Sequence, residues 1–216
     1  MRFDRVKRLF GEQFTALQNA KIIILGVGGV GGFALDALHR SGVQNITIVD
    51  FDTFDETNQN RQIGSIDGIG KSKVAHLASI YQNITPIEAK ITKQWIDEFN
   101  FEPYDFILDA IDDIEPKVYL ISKYHQKLIS SGGSAKRIDP LKIEYIELSK
   151  TYNDPFIRKI RQELKKIGFN KKFKIIFSSE NPICETLGSF VAVTGAFGLV
   201  MSSITVQKII SKYELK

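Results

Sequence analysis

Only one cysteine, Cys184, occurs in the 216 residues of this chain. That scarcity excludes an intrachain disulfide and any cysteine-rich zinc site, and it fits a reducing, cytoplasmic compartment. A lone cysteine is most simply an inert core residue, and only Glu185 stands beside this one to influence its thiol. The opening stretch MRFDRVKRLFGEQF has no apolar run of signal-peptide length, so export by that route is not expected. Charge is missing from Thr186 to Gln207, a length that raises a membrane span. The many Gly, Ser and Thr residues in it argue for buried packing instead, and no span is expected. The three histidines, His39, His76 and His125, stand apart and make no metal spacing.

What is present describes a packed enzyme-sized domain: 43% of residues are apolar and 25% charged. The net charge of +4 is a modest excess, compatible with a solvated surface or with a polyanionic partner. An amphipathic segment runs from Val6 to Gln18, followed by a strand from Ile22 to Leu25. A helix carrying Phe33, Ala34, Ala37 and Leu38 ends near Ser41-Gly42. Further strands are expected at Ile46–Val49, Phe106–Leu108, Leu128–Ser131, Lys142–Leu148 and Ile175–Phe177, with a helix over Lys71–Tyr81. Asp154-Pro155 reads as a helix start, since the carboxylate can cap free amides and proline suits the first helical position. Alternation of strand and helix implies one α/β domain over residues 1–216. Its sheet should be doubly wound and mostly parallel, with an added antiparallel portion in the second half.

Ile22 to Gly32, IIILGVGGVGG, has the form of a strand, a phosphate-cradling turn and a helix N-terminus. Gly26, Gly28, Gly29 and Gly31 let backbone amides approach phosphate oxygens, and Asp50 closes the next strand at the distance of a ribose-binding carboxylate. The spacing alone fits a nicotinamide or flavin enzyme as well as an ATP enzyme. Downstream lie TNQNRQ with Asn58, Asn60, Arg61 and Gln62, then Lys73 in GKSK, then Asp109, Asp112 and Asp113 in ILDAIDD. Arg61 and Lys73 suit the charge of β and γ phosphates, and Asp112 suits a hard cation such as Mg²⁺. Asp109 is more simply structural.

The ordered set GVGGVG, IVDFD, NQNRQ, GKSKV and LDAIDD resembles the ubiquitin-activating-enzyme-like adenylating enzymes. The resemblance implies a Rossmann-like, homodimeric domain that uses MgATP to transfer AMP to a carboxylate. It assigns Asp50 and Asp52 to the nucleotide, Asn58, Asn60, Arg61 and Lys73 to the phosphates, and Asp112 to the metal. Arg5 in RFDR would reach the ATP of the partner subunit. A monovalent cation is left open as a further ligand. Within this family, RFDRVKRLFGE, TNQNRQI, DAIDDIEPK, SSGGSAKRIDP, the SKTYNDPFIRKIRQELKK helix and VTGAFG resemble the bacterial tRNA threonylcarbamoyladenosine dehydratases. That likeness implies tRNA, not DNA, as substrate. Lys136, Arg137, Arg158, Lys159, Arg161, Lys165 and Lys166 would then touch the anticodon arm. A sulfur-transfer protein is a further candidate partner. The alternative is an adenylyltransferase for the C-terminus of a ubiquitin-like sulfur carrier, which shares the ATP site. A nucleotide-gated RNA-binding scaffold without turnover is the reading from another class.

Overall fold

Ile22, Ile23, Ile24 and Leu25 are all fully buried because the strand they form has a packed layer on each face. In the computed structural model, which describes residues 2–214, this strand β1 (Lys21–Leu25) lies third in a seven-stranded sheet. The other strands are β2 (Asn45–Asp50), β3 (Ile84–Glu88), β4 (Phe106–Asp109), β5 (Leu128–Ser131), β6 (Ile143–Glu147) and β7 (Lys174–Ser178). Their order is β3-β2-β1-β4-β5-β7-β6. Every neighbouring pair is parallel except β6 and β7, which run antiparallel with Tyr145 opposite Ile176. The expected α/β sheet with an antiparallel portion in its second half is therefore what forms. The direction of travel reverses between β1 and β4, which places a topological switch point beside the glycine turn.

Nine α-helices among the described residues cover the sheet: α1 (Asp4–Phe10), α2 (Phe14–Asn19), α3 (Gly29–Arg40), α4 (Ser65–Gly68), α5 (Lys73–Ile80), α6 (Lys93–Glu98), α7 (Ile114–Tyr124), α8 (Pro155–Lys166) and α9 (Val191–Glu214). Strand residues alternate between two cores, as a period of two requires. Ile22 and Ile24 pack with Leu17 of α2, Leu35 of α3, Leu77 of α5 and Phe197 of α9. Ile23 and Leu25 pack with Ile96 of α6, Leu120 of α7 and Ile160 of α8.

Several parts differ from the sequence expectation, which places no helix at α4, α7 or α9. The single segment from Val6 to Gln18 is broken at Gly11, whose φ of +54° ends α1 before α2 begins. The edge strand β3 contains Pro86, which cannot donate to a ladder and hides the strand in the sequence. Thr92 starts the short α6 by accepting from the backbone N–H of Trp95.

The uncharged stretch becomes a loop and then α9, a helix long and apolar enough to cross a membrane by length and composition. Its small residues serve packing: a Cβ on Gly198 would lie 2.3 Å from the Val30 carbonyl oxygen, and one on Gly195 would lie 3.1 Å from the Phe33 ring. The backbone of α9 thus approaches α3 closely, and more than half of its apolar window is buried against the rest of the chain.

At the far end of α3, Arg2 Nη2 donates to His39 Nδ1 at 2.9 Å, and His39 Nε2 lies 3.1 Å from the Gln82 carbonyl oxygen. The imidazole must be neutral to accept from Arg2. Burial, helped by the Arg2 charge, pushes it below its ordinary value of 6.5. A group depressed in the folded state lends stability above its unfolded value, and that stability is lost as pH falls through the folded value. Thermal melts should therefore show the wild type losing more stability than His39→Gln between pH 7 and pH 5; equal losses would contradict the neutral contact.

Candidate active site

The turn after β1 is shaped by backbone contacts that tolerate no side chain. Gly26 has φ +84° and donates to the Val49 carbonyl at 2.8 Å, tying the turn to β2. A Cβ on Gly31 would sit 1.8 Å from the Gly26 carbonyl oxygen, and one on Gly29 would sit 2.4 Å from Thr194 Cγ2. These two glycines let α3 and α9 close onto the turn. Gly28 has a different position: a Cβ there would meet only the Gln62 amide, at 3.6 Å. It is the N-cap of α3 and makes no side-chain cap, so the first-turn N–H groups and the positive end of the helix dipole are free for an anion.

Asp50, at the end of β2, accepts from Val27 N at 2.8 Å through one carboxylate oxygen and from Asp52 N at 3.0 Å through the other. It braces the glycine turn as well as facing the strand ends. Lys73 is buried at the start of α5, where its ammonium lies 2.8 Å from the Asp52 carboxylate and its backbone N–H donates to Asp52 O. Asn58 is buried in a reciprocal cap: Asp55 Oδ1 accepts from Thr57 N, and Asn58 Oδ1 accepts from Asp55 N at 3.3 Å. This cap shapes the following turn. There Arg61 Nη1 donates to Thr57 O and Asn60 Oδ1, both at 2.9 Å, and Arg61 Cγ lies 3.5 Å from the place a Gly29 Cβ would take. Asn60 reaches across to the Ser189 carbonyl at 3.3 Å. Arg61 thus lies against the turn directly, and Lys73 is linked to it through Asp52 and Asp50.

Past β4 the two expected aspartates part company. Asp109 is fully buried, 2.7 Å from the ammonium of an equally buried Lys117, while Asp112 is exposed on the loop leading to α7. A Cβ on Gly26 would lie 3.0 Å from the carbonyl oxygen of Ala110 in the same loop, so Asp112 stands two residues beyond the point where this loop meets the phosphate turn. Lys117 is not singled out by the sequence, although Pro116, Val118, Leu120 and Ile121 around it mark the buried face of α7.

Among the described residues, no group of three or more His, Cys, Asp or Glu side chains could by itself hold a metal ion. An exposed carboxylate such as Asp112 is nevertheless the donor Mg²⁺ takes when substrate phosphates supply the other ligands. The residues therefore fit a phosphate-bound cation.

Not every expected residue joins this group. Arg5 is exposed on α1, the helix whose start is tied to His39 at the opposite end of α3. Arg137 is buried rather than presented to RNA: Nη2 lies 3.0 Å from Asp154, 17 residues away in sequence, and Nε donates to Glu180 O. Asp154 is thereby both the N-cap of α8, accepting from Ile157 N, and the ion-pair partner that draws Arg137 inward. Arg161 is half committed, its Nη1 donating to the Thr151 carbonyl and hydroxyl. Lys136 donates to the Glu185 carbonyl. Arg158, Lys159, Lys165 and Lys166 are exposed, with Lys166 2.7 Å from Glu163. Cys184 is also exposed, contrary to a core position, because it lies in the loop between β7 and α9.

Known proteins resemble this chain in sequence and in fold. The tRNA threonylcarbamoyladenosine dehydratase of Bacillus subtilis is 36% identical over 192 residues, covering 84% of this chain and 76% of that protein. The Escherichia coli enzyme of the same name is 31% identical, covering 98% of this chain and 94% of its own length. Among solved structures, E. coli TcdA, the tRNA N6-threonylcarbamoyladenosine dehydratase, in complex with ATP, superposes with a TM-score of 0.94 at 32% identity. That match covers 100% of this chain and 96% of the other. A model of the ThiF family matches residues 4–216, from the first helix to the last, so the assignment does not hang on any one motif: this chain belongs to the ThiF family.

Proposed function

We propose that this chain, as a single adenylating domain, catalyses the ATP-dependent dehydration of N6-threonylcarbamoyladenosine at position 37 of tRNA. Its relatives over nearly the full length carry that name, and an ATP complex is known for one of them. The observation that carries the reading is the convergence of the open α3 N-terminus, Arg61, Lys73 and the Asp112 loop at the carboxyl ends of β1, β2 and β4. This is the edge where parallel sheets bind nucleotides.

The substrate carboxylate attacks the α phosphorus of ATP and pyrophosphate leaves. The carbamoyl group of the same modification then attacks the activated carbonyl, the C–O bond to AMP breaks, and the attacking group gives up its proton as the ring closes. The net change is loss of one water. In this reading the glycine turn and the α3 amides hold the phosphates with Asn58 and Asn60 behind them. Asp50 and Asp52 face the ribose. Arg61 and Lys73 stabilise the charge that develops on the departing pyrophosphate. Mg²⁺, held by Asp112, would neutralise phosphate charge. Because the nucleophile of the second step is already attached to the electrophile, positioning supplies much of the acceleration.

Arg5 serves the neighbouring subunit in this account. It lies near the C-terminal end of α3, and the 12 residues of that helix put roughly 18 Å between that end and the phosphate turn of the same chain. A homodimer that brings α1 of one subunit to the nucleotide of the other would complete both sites. The setting we propose is the cytoplasm. No side chain is assigned to a monovalent cation or to a sulfur-transfer protein.

AMP release tests the reading. Incubated with ATP and Mg²⁺, the protein should release AMP with tRNA bearing the open modification and not with unmodified tRNA. AMP release that follows a ubiquitin-like carrier protein instead would replace this reading with the adenylyltransferase one.

A further inference from the structure

The carboxyl edge of the sheet holds a second concavity, away from the phosphate turn. It is a cleft of about 320 Å³ between the start of α8 and the loop after β7, lined by Asn153, Pro155, Arg158, Arg161, Asn181 and Pro182, with Asp154 in its wall. Its floor is rigid. Asn153, at φ +55°, donates its side-chain amide to the Ser179 carbonyl at 3.1 Å, which ties the start of α8 to the end of β7. A Cβ on Gly132 would meet Ile157 Cδ1 at 2.6 Å, so the end of β5 is pressed against the first turn of α8.

The charges of the cleft are arranged for an anion. Arg158 is exposed, and its guanidinium makes no ion pair or hydrogen bond among the described residues. Arg161 uses only Nη1, on Thr151 and Leu148, so its remaining donors are available along a fixed side chain. Asp154 does not oppose this, because its carboxylate is occupied by Arg137 at 3.0 Å and by the Ile157 N–H at 3.0 Å. The two asparagine amides add neutral polar groups, and a cleft of this size has room for one nucleotide unit.

Its location decides the class of anion. β7 lies three strands from β1, about 15 Å at roughly 4.8 Å per step. Both strands end on the same edge, so the cleft and the phosphate turn open on one side of the molecule. From the cleft, Lys165 lies two turns along α8 from Arg158 on the same exposed face, Lys159 flanks Arg158, and the helix's one acid, Glu163, is paired with Lys166. A row of cations leading to an arginine cleft suits a chain of regularly spaced phosphates better than a single small acid.

We propose that this cleft seats a phosphodiester of the tRNA anticodon arm next to the modified adenosine, with Arg158 making the contact and Arg161 forming the fixed wall. The proposal rests on the dehydratase reading and adds to it the place where the RNA backbone is held. Arg158 then sets the register of the RNA so that the modified base reaches the ATP edge.

The test uses the full chain, with Arg158→Glu, Arg158→Ala and, as a comparator for general surface charge, Lys172→Glu. Steady-state dehydration of modified tRNA, ATP affinity and tRNA affinity at several salt concentrations are measured, with thermal melts to verify folding. R158E should raise the KM for tRNA at least tenfold with ATP affinity unchanged, and R158A should lower the salt slope of tRNA binding by about 1. K172E should do much less. Wild-type KM and slope in the Arg158 variants, or equal losses in R158E and K172E, would overturn the cleft. So would loss of binding to an acidic protein with tRNA binding unchanged. If the wild type itself fails to dehydrate the tRNA, the functional reading fails instead, and tRNA affinity alone then decides whether the cleft binds RNA.

Discussion

Replacing Lys117 by methionine is expected to destabilise the protein by about 3–5 kcal/mol, the cost of leaving a buried carboxylate without its partner. Lys117 and Asp109 are both fully buried and 2.7 Å apart. The ammonium also donates to Ser130 Oγ at 3.3 Å and to the Ser131 carbonyl at 3.0 Å, while Asp109 accepts from Ser130 Oγ at 2.6 Å. Burial pushes the Lys117 ammonium down from its ordinary value, and the Asp109 charge opposes that shift. The pair also acts locally, since Asp109 Oδ1 accepts from Ile111 N at 3.1 Å and so shapes the loop that carries Asp112. Urea denaturation should show K117M strongly destabilised and the double variant D109N/K117M partly restored. A change in K117M smaller than about 1 kcal/mol, the scale of an exposed ion pair, would contradict a buried, mutually dependent pair.

Arg61→Ala should lower kcat by about 10²–10³-fold, the usual loss when one preorganised donor to developing charge is removed. The same variant should melt within a few degrees of the wild type. The Arg61 side-chain hydrogen bonds within the chain go to Thr57 O and Asn60 Oδ1, groups in its own turn, so little of the fold depends on it. Steady-state kinetics beside thermal melts separate the two effects. A kcat within threefold of the wild type would remove Arg61 from the site.

Much of the sheet is legible because burial on both faces writes itself into the sequence as an unbroken apolar run. IIIL of β1 is such a run and ITIV of β2 is broken only by the buried Thr47, and each is bounded by turn residues. The edge strand β3, ITPIE, has one neighbour and partly exposed residues, so its composition resembles a loop. The glycine turn is legible for a stricter reason: Gly26 and Gly31 face backbone atoms that cannot move aside for a side chain. Gly31, with no room for a Cβ beside Gly26 O, is the clearest case.

Charged residues are harder to place. Arg137 sits in a basic pair with Lys136 and reads like its neighbour, yet Asp154 pulls it inside. That partner is 17 residues away, and its own role as a helix cap is complete without an arginine. Local spacing carries no sign of a long-range ion pair. Lys117 makes the same point in reverse, since a single lysine within an apolar face hides the pairing that holds the Asp112 loop. Cys184 departs from its expected core position because scarcity says nothing of exposure, and the loop that bears it contributes no strand or helix to either core.

Activation of a tRNA carboxylate by AMP transfer, followed by its displacement from within, is tested most directly by an oxygen label. Modified tRNA whose threonylcarbamoyl carboxylate carries heavy oxygen is incubated with the protein, ATP and Mg²⁺, then digested to nucleosides. The expected product is a nucleoside lighter by one water, with one labelled oxygen recovered in AMP. Unchanged nucleoside mass would contradict the activity, and water loss with no label in AMP would contradict the adenylate route.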